Sequence, residues 1–319
     1  MKIKNKRGMY FTLMTIAFLF IFVFIFTMPG YRRLSEKMTV TEMRIYSMNN
    51  FLKNLERDAE RGLYISSYRA VMALEEYIIV NGRFLEDFDT FFENALLNGT
   101  VNQTNTSLMV GSTFPDWIAR IQENALSFNL NVNITINNVT IYQEDPWHVK
   151  VRSNLTFFIE DITNIASWKT EEYIVASISI LGFEDPLYTV NGLGRVTNII
   201  NRTPSDGNYT YKIDDVWNVT NLLAHAENSY YTSNVNAPSF LMRFENDLDS
   251  SPYGIESMVN IIKLAERELE MDTESSIIDY HYWVGDGNGD YRINFTPTWF
   301  KLDYAHLERY NTTEVSYLS

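Results

Sequence analysis

The chain has no cysteine, so neither disulfide bridges nor thiolate chemistry is open to it. Basic residues are also scarce: 26 Lys and Arg stand against 40 Asp and Glu, for a formal net charge of -14. A body this acidic is repelled by phosphate backbones and anionic bilayer surfaces, which argues against nucleic acid as a partner. Histidine is sparse. His148, His225, His281 and His306 are scattered singly, and no pair stands at the i, i+4 spacing that holds zinc on one helix face. There is no Gly-x-Ser-x-Gly elbow for a hydrolase nucleophile, and Gly192-x-Gly194 lacks the third glycine of a dinucleotide loop. Internal repeats and low-complexity tracts are missing as well. With no catalytic motif, the expectation is a protein that is not an enzyme. A domain of this size does without disulfides if its core is large, and 20 Tyr, 20 Phe and 6 Trp supply one.

One long apolar run is present. Met9–Met28, MYFTLMTIAFLFIFVFIFTM, carries no charge, and ~20 helical residues reach ~30 Å, the thickness of a hydrocarbon core. A helix satisfies its own backbone hydrogen bonds there, so the run is expected to span a membrane once. It exceeds the ~7–15-residue core of a secretory signal, and Pro29-Gly30-Tyr31 makes a poor cleavage site. A retained anchor is the expectation. Lys2, Lys4, Lys6 and Arg7 precede the span, and Arg32, Arg33 and Lys37 follow it before the acidic body. The positive-inside rule then puts the N-terminus in the cytoplasm. All eleven Asn-x-Ser/Thr sequons come after the anchor. Those at Asn98, Asn102, Asn105, Asn133, Asn138, Asn154, Asn208, Asn218 and Asn311 are the glycosylation candidates, whereas Asn201 and Asn294 are followed by Thr and then Pro. Their placement points to an extracytoplasmic body.

Four regions follow: a basic cytoplasmic leader (1–8), the transmembrane helix (9–28), a long helix with a helical pair and a sheet (29–185), and a C-terminal region (186–319). Pro29-Gly30 is expected to break or kink the helix as it leaves the bilayer. Leu34, Met38, Thr41, Ile45, Met48, Leu52, Leu55 and Ala59 then recur in steps of four and three, a stripe of period 3.5. Leu63, Ser66, Ala70, Ala73 and Tyr77 extend it until Asn81-Gly82, an αL-type stop. The stripe over 31–80 packs either on another copy or envelope protein, or on the chain's own sheet, and Gly62 is a place for a bend. Helices are predicted over Leu85–Leu97 and Pro115–Phe128, the second capped by Thr113. Period 2 then takes over in three antiparallel strands. The first holds Leu130, Val132, Ile134, Ile136, Val139 and Ile141. The second holds Trp147, Val149, Val151, Leu155, Phe157 and Ile159. The third is read with Tyr173, Val175, Ser177, Ser179 and Leu181 on one face. Beyond Pro186 the reading is a strand at Val190–Ile200 and a turn at Thr203–Asn208. A helix at Val216–Tyr230 is capped by Asp214 or Asp215, and Pro238–Asp249 and Gly254–Leu269 are helices. A hairpin of Ile277–Val284 with Tyr291–Phe295 and a terminal helix at Asp303–Tyr310 end the list of elements. The fold class is α+β.

Two resemblances add to this. Lys6-Arg7-Gly8 running directly into an apolar helix resembles the leader of type IV pilin-like proteins. That resemblance implies peptidase cleavage between Gly8 and Met9. Leu13 stands where those families usually carry glutamate. A long helix laid on an antiparallel sheet is also the pilin-type layout. Separately, Ala237–Asn260 (APSFLMRFENDLDSSPYGIESMVN), Tyr291–Asn294, Trp299–Asp303, His306 and, further back, Glu144–Val151 resemble a domain of uncharacterised archaeal envelope proteins. That resemblance implies location and lineage but no chemistry.

One loop has the look of a cation site. Asp286, Asn288 and Asp290 in GDGNGD place oxygens at positions 1, 3 and 5, as Ca²⁺ loops do, but Tyr291 and Pro297 stand where the glycine and bidentate acid belong. A hairpin turn explains the same glycines. Asp247 and Asp249 read as turn caps. No other cofactor is expected. The functional expectation is a membrane-anchored surface protein that works by contact, as a pilin-like accessory subunit. The alternative is a glycan- or ligand-binding module that uses the abundant Tyr and Trp.

Overall fold

The computed structural model describes residues 6–318 other than Asn164 and Asp286, with the backbone alone described at 6–7 and 28–37. Helix α1, Lys6–Asn81, is one helix of 76 residues, ~114 Å long at ~1.5 Å per residue. It runs through Pro29-Gly30, where the sequence suggested a break. A proline removes one rung of the hydrogen-bond ladder, and the rungs on either side carry the helix past it. The stop at Asn81-Gly82 is as expected: Gly82 takes φ 61 and its N–H reaches Ile78 O at 2.8 Å. The Asn81 side chain donates to Tyr77 O at 2.7 Å.

The stripe on α1 divides in two. Met38 and Ile45 are exposed, whereas Met48, Leu55, Ala59, Leu63, Ala70, Leu74 and Ile78 are buried against the chain's own sheet and helices. The helix is uninterrupted at Gly62, and the glycine there is a contact. A Cβ there would lie 2.5 Å from the Trp117 ring, so only glycine lets the indole reach the helix backbone. Gly62→Ala should therefore cost ~1–3 kcal/mol by overpacking, read as a lowered denaturation midpoint. An unchanged midpoint would show that Trp117 swings aside freely.

Helix α2, Phe88–Asn98, is capped by Asp87, which accepts from Thr90 N at 3.1 Å. After the short β1 (Thr100–Val101) and β2 (Thr104–Asn105) comes α3, Phe114–Leu126. Thr113 and Asp116 close a reciprocal capping box at its start. Strands β3 (Leu130–Asp145), β4 (His148–Asp161) and β5 (Ser167–Ser179) form the antiparallel meander in the order β3-β4-β5. The apolar set of β3 changes parity between Ile136 and Val139 because a register shift at Asn137 inserts one residue. The third strand corrects the sequence reading by one residue. Ile174, Ala176 and Ile178 face inward and Tyr173 is exposed. Both parities of this strand carry apolar residues, and pairing decides: Val149 opposes Ile178, Val151 opposes Ala176 and Ser153 opposes Ile174. Arg44 of α1 pins the far end of β4, with Nε 2.6 Å from the buried Asp161 carboxylate.

The C-terminal region consists of short elements: α4 (Pro186–Asn191), β6 (Tyr211–Ile213), β7 (Val216–Asn218), α5 (Thr220–Glu227), β8 (Tyr231–Ser233), α6 (Phe240–Arg243), β9 (Ile255–Ser257), α7 (Ile261–Glu266), α8 (Asp279–Val284), β10 (Tyr291–Ile293), β11 (Lys301–Leu302), α9 (Tyr304–Arg309) and β12 (Ser316–Leu318). Several expectations are corrected here. Val190–Ile200 is the end of α4 and a turn, with one bridge from Ile199 to Glu184. Asp214 and Asp215 cap no helix; both have positive φ and close the β6–β7 hairpin, as a two-residue primed turn requires. Only Phe240–Arg243 of Pro238–Asp249 is helical. Gly254–Leu269 splits into β9 and α7, because Gly254 lies in a cradle of backbone carbonyls where a Cβ would meet Ala237 O, and Asn260 caps a fresh helix. Ile277–Val284 is mostly helix α8, so no hairpin flanks the glycine-rich loop. Instead β10 pairs with β11 and β12.

Two apolar cores result. One joins α1–α3 to the meander and also takes in Tyr231, Phe240, Phe244 and Ile255. The other fills the C-terminal region around Ile278, Phe300 and Tyr310. Phe244 meets Phe88 at 5.0 Å between ring centroids, and Leu85 N donates to Phe244 O at 2.8 Å. The α6 segment thus locks the two halves together.

Candidate functional site

Gly8–Thr27 is the one stretch among the described residues that is long and apolar enough to cross a membrane. All its side chains are exposed, an arrangement that water disfavours by ~25 cal/mol per Å² of apolar surface and lipid does not. An anchor and a signal sequence both require such a helix. Gly8 and Met9 lie within α1, while Lys2 and Lys4 of the leader lie outside the described residues.

The densest polar chemistry lies where the two cores meet. β9 distributes it by alternation: Glu256 turns to one side and Ser257 to the other. On the Ser257 side, Arg243 is wholly buried with Asp185 and Asp279. Its Nη1 lies 2.5 Å from Asp185 Oδ2 and 2.9 Å from Asp279 Oδ2, and Nη2 donates to Ile255 O. Tyr231 OH donates to Asp185 at 2.7 Å, and Ser257 Oγ donates to Asp279 at 2.9 Å. Burial by itself would lower the guanidinium pKa, but the two carboxylates outweigh it and Arg243 stays cationic. Burial also raises Asp279, which Arg243 only partly offsets.

On the Glu256 side, Asp303 caps α9 and lies 2.7 Å from His306 Nδ1. His306 Nε2 lies 3.2 Å from Glu256 Oε2 and 3.1 Å from Tyr280 OH. Burial opposes charge on His306, but Asp303 and Glu256 outweigh it and lift the imidazole to about 10. Against its own burial, the same contact holds Asp303 down at about 2. His281 of α8 approaches from the outer side, with ring centroids 5.5 Å apart at 77°. His281 and His306 are 25 positions apart, so the fold makes a histidine pair that helical spacing could not reveal. The other two histidines stand apart. His225 is buried edge-on to Tyr209 with neither ring nitrogen bonded, and burial lowers it to about 4. His148 is exposed beside Asp145 in the β3–β4 turn.

A second acidic contact joins α1 to α4. Glu75 and Glu184 line a small enclosed space with Ile78 and Pro186. Glu75 Oε1 and Glu184 Oε2 have no hydrogen-bond partner, and burial pushes the Glu75 carboxyl up to about 9.

The calcium-loop residues do not assemble into a site. Asp286 lies outside the described residues, Asn288 and Asp290 are exposed, and Asn288 bridges to Ser275. The loop's glycines serve close packing: a Cβ at Gly289 would lie 2.7 Å from Ser275 O. Asp247 accepts from Asp249 N at 3.1 Å, the turn cap expected of it. Among the glycosylation candidates, Asn98, Asn102, Asn105, Asn133, Asn138, Asn208 and Asn311 are exposed, and Asn154 and Asn218 are half-buried. The Asn154 amide donates to Glu171 at 2.7 Å. A groove of about 510 Å³ runs between the end of α1 and β1–β2, with Tyr77 its one aromatic wall. Sequence reasoning missed Asp185, Asp279 and the role of Arg243. Its nearest signal was the quoted stretch Ala237–Asn260, which holds Arg243 and Glu256, together with Asp303 and His306. No protein-family model, curated protein or solved structure matches the chain.

Proposed function

We propose that the chain is a single-pass membrane protein with a cytoplasmic N-terminus and an extracytoplasmic, glycosylated body. In this reading it works by contact, as a pilin-like accessory subunit of the envelope. The observation that carries the reading is α1 itself. One helix presents Gly8–Thr27, apolar and exposed, and then lays its second half on a three-stranded antiparallel meander. The apolar stretch suits lipid, and the second half ties the body rigidly to it. The net charge of -14 and the exposed sequons suit a solvated exterior.

Fractionation of expressing cells tests the anchor. The chain should stay with membranes through a carbonate wash, lose its body to protease added outside, and run heavier than its 37.2 kDa. Recovery as an unmodified cytosolic protein would overturn the reading. Gly8→Trp tests the narrower claim: it should block processing and leave a heavier chain, whereas an unchanged mature mass would remove the pilin-like part and keep the anchor.

A further inference from the structure

We propose that His281, Asp303 and His306 form a binding site for one divalent transition-metal ion, with Zn²⁺ the best match to their chemistry. One donor atom from each residue lies within 4.8 Å of the other two. The pair from α9 is built by local sequence, since Asp303 is the cap and His306 stands three residues on. Both Asp303 oxygens face His306 Nδ1, at 2.7 and 2.8 Å, so an ion shared by these residues sits on that nitrogen.

The surroundings fit such an ion. With metal on Nδ1, the remaining Nε2–H points at Glu256 Oε2, 3.2 Å away. That is the carboxylate–histidine–metal arrangement, which fixes the tautomer and raises the ligand's basicity. Glu256 is itself held by Asn234 at 2.5 Å and Tyr310 at 2.9 Å, and Asp303 accepts from Ser276 Oγ at 2.8 Å. These supports leave both carboxylates ready to face a cation. Gly287 packs on His281, where a Cβ would lie 2.7 Å from the histidine Cβ, so the glycine-rich loop holds this ligand in place. His281 is half-buried and gives an ion a way in from solvent.

The donor set decides the ion. Two imidazole nitrogens and one carboxylate oxygen suit Zn²⁺ and its transition-metal neighbours, whereas Ca²⁺ and Mg²⁺ call for oxygen throughout. Tetrahedral donors at ~2.1 Å from zinc lie ~3.4 Å apart, so on binding the Asp303 carboxylate backs away from His306 Nδ1, now 2.7 Å from it, to admit the ion, and the His281 donor, within 4.8 Å of both, completes the set. The ion replaces the Nδ1 proton of His306, which leaves to solvent. Three protein donors leave one tetrahedral position for water.

The test uses the full chain in detergent, stripped with chelator and titrated with Co²⁺ and then Zn²⁺. One equivalent of Co²⁺ should bind with visible d–d bands, and Zn²⁺ should displace it. His281→Gln should weaken binding ~100-fold or more, the upper end of what even outer-shell changes cost. Its near-ultraviolet circular dichroism in chelator should match wild type, which separates lost ligation from lost fold. Asp290→Asn in the neighbouring loop should bind as wild type does. Absence of stoichiometric binding, or undiminished binding by both His281→Gln and Asp303→Asn, would overturn the proposal.

Discussion

Arg243→Leu should lower the unfolding free energy by ~3–5 kcal/mol, the usual penalty for removing one partner of a buried ion pair. Arg243, Asp185 and Asp279 are fully removed from solvent, so no water can replace the lost cation. The leucine would leave Asp185 and Asp279 facing each other across an apolar site, with the Tyr231 and Ser257 hydroxyls and the backbone N–H groups of Leu187, Ser257 and Tyr280 as their remaining donors. Arg243→Lys should fall between the two. An ammonium offers one nitrogen where Arg243 uses two, Nη1 on both carboxylates and Nη2 on Ile255 O, so a lysine keeps the charge but loses the fixed second donor. The triple variant Asp185→Asn, Arg243→Leu, Asp279→Asn should recover much of the loss, because removing charges together avoids stranding one. Denaturant unfolding followed by near-ultraviolet circular dichroism measures all of these. A change in Arg243→Leu within ~0.5 kcal/mol, the range of ordinary surface substitutions, would mean that the cluster is not buried as described.

The second large effect is loss of stability on going from neutral to alkaline pH. In the metal-free chain, kept in chelator, folding lifts His306 from 6.5 to about 10. Its contribution is therefore complete below pH 6.5 and disappears as pH rises through about 10, at up to ~1.4 kcal/mol per pH unit. Glu75 acts in the same direction. Burial raises it from 4.5 to about 9, so above pH 4.5 the folded chain keeps a proton that the unfolded chain has released. His225 and Asp303 act on the acid side: folding lowers His225 from 6.5 to about 4 and Asp303 from 3.8 to about 2, and the contribution of each fades as pH falls through its range. The melting midpoint should thus be highest at about pH 4–6 and fall steadily between 7 and 10. Glu75→Gln should melt higher than wild type at pH 9 and lose part of the slope. A profile that is flat, or that rises above pH 8, would contradict both assignments.

The parts of the fold that could be read in advance are those whose pattern repeats over many residues. The α1 stripe, the Thr113 cap, the stop at Asn81-Gly82 and the β3–β4 alternation each rest on neighbours within one or two turns or strand steps. The reading fails where elements shrink. β6 to β12 are two or three residues long and most of the C-terminal helices have four to six, too few to show a period. Strand β5 fails for a different reason. Apolar residues of both parities are available there, and only pairing with β4 selects Ile174, Ala176 and Ile178.

By itself, then, the chain's order of residues determined an uncharged apolar helix, the long amphipathic helix that continues it, the meander and the α+β class. All follow from local periodicity. Tertiary structure alone decided which charges meet. Asp185, Arg243, Asp279, Glu256, His281, Asp303 and His306 are drawn from α4 to α9 across more than a hundred positions. In the linear chain each looks like an ordinary solvated polar residue. Only packing that strips their water makes their pairing obligatory, because a buried charge without a partner is too costly to keep.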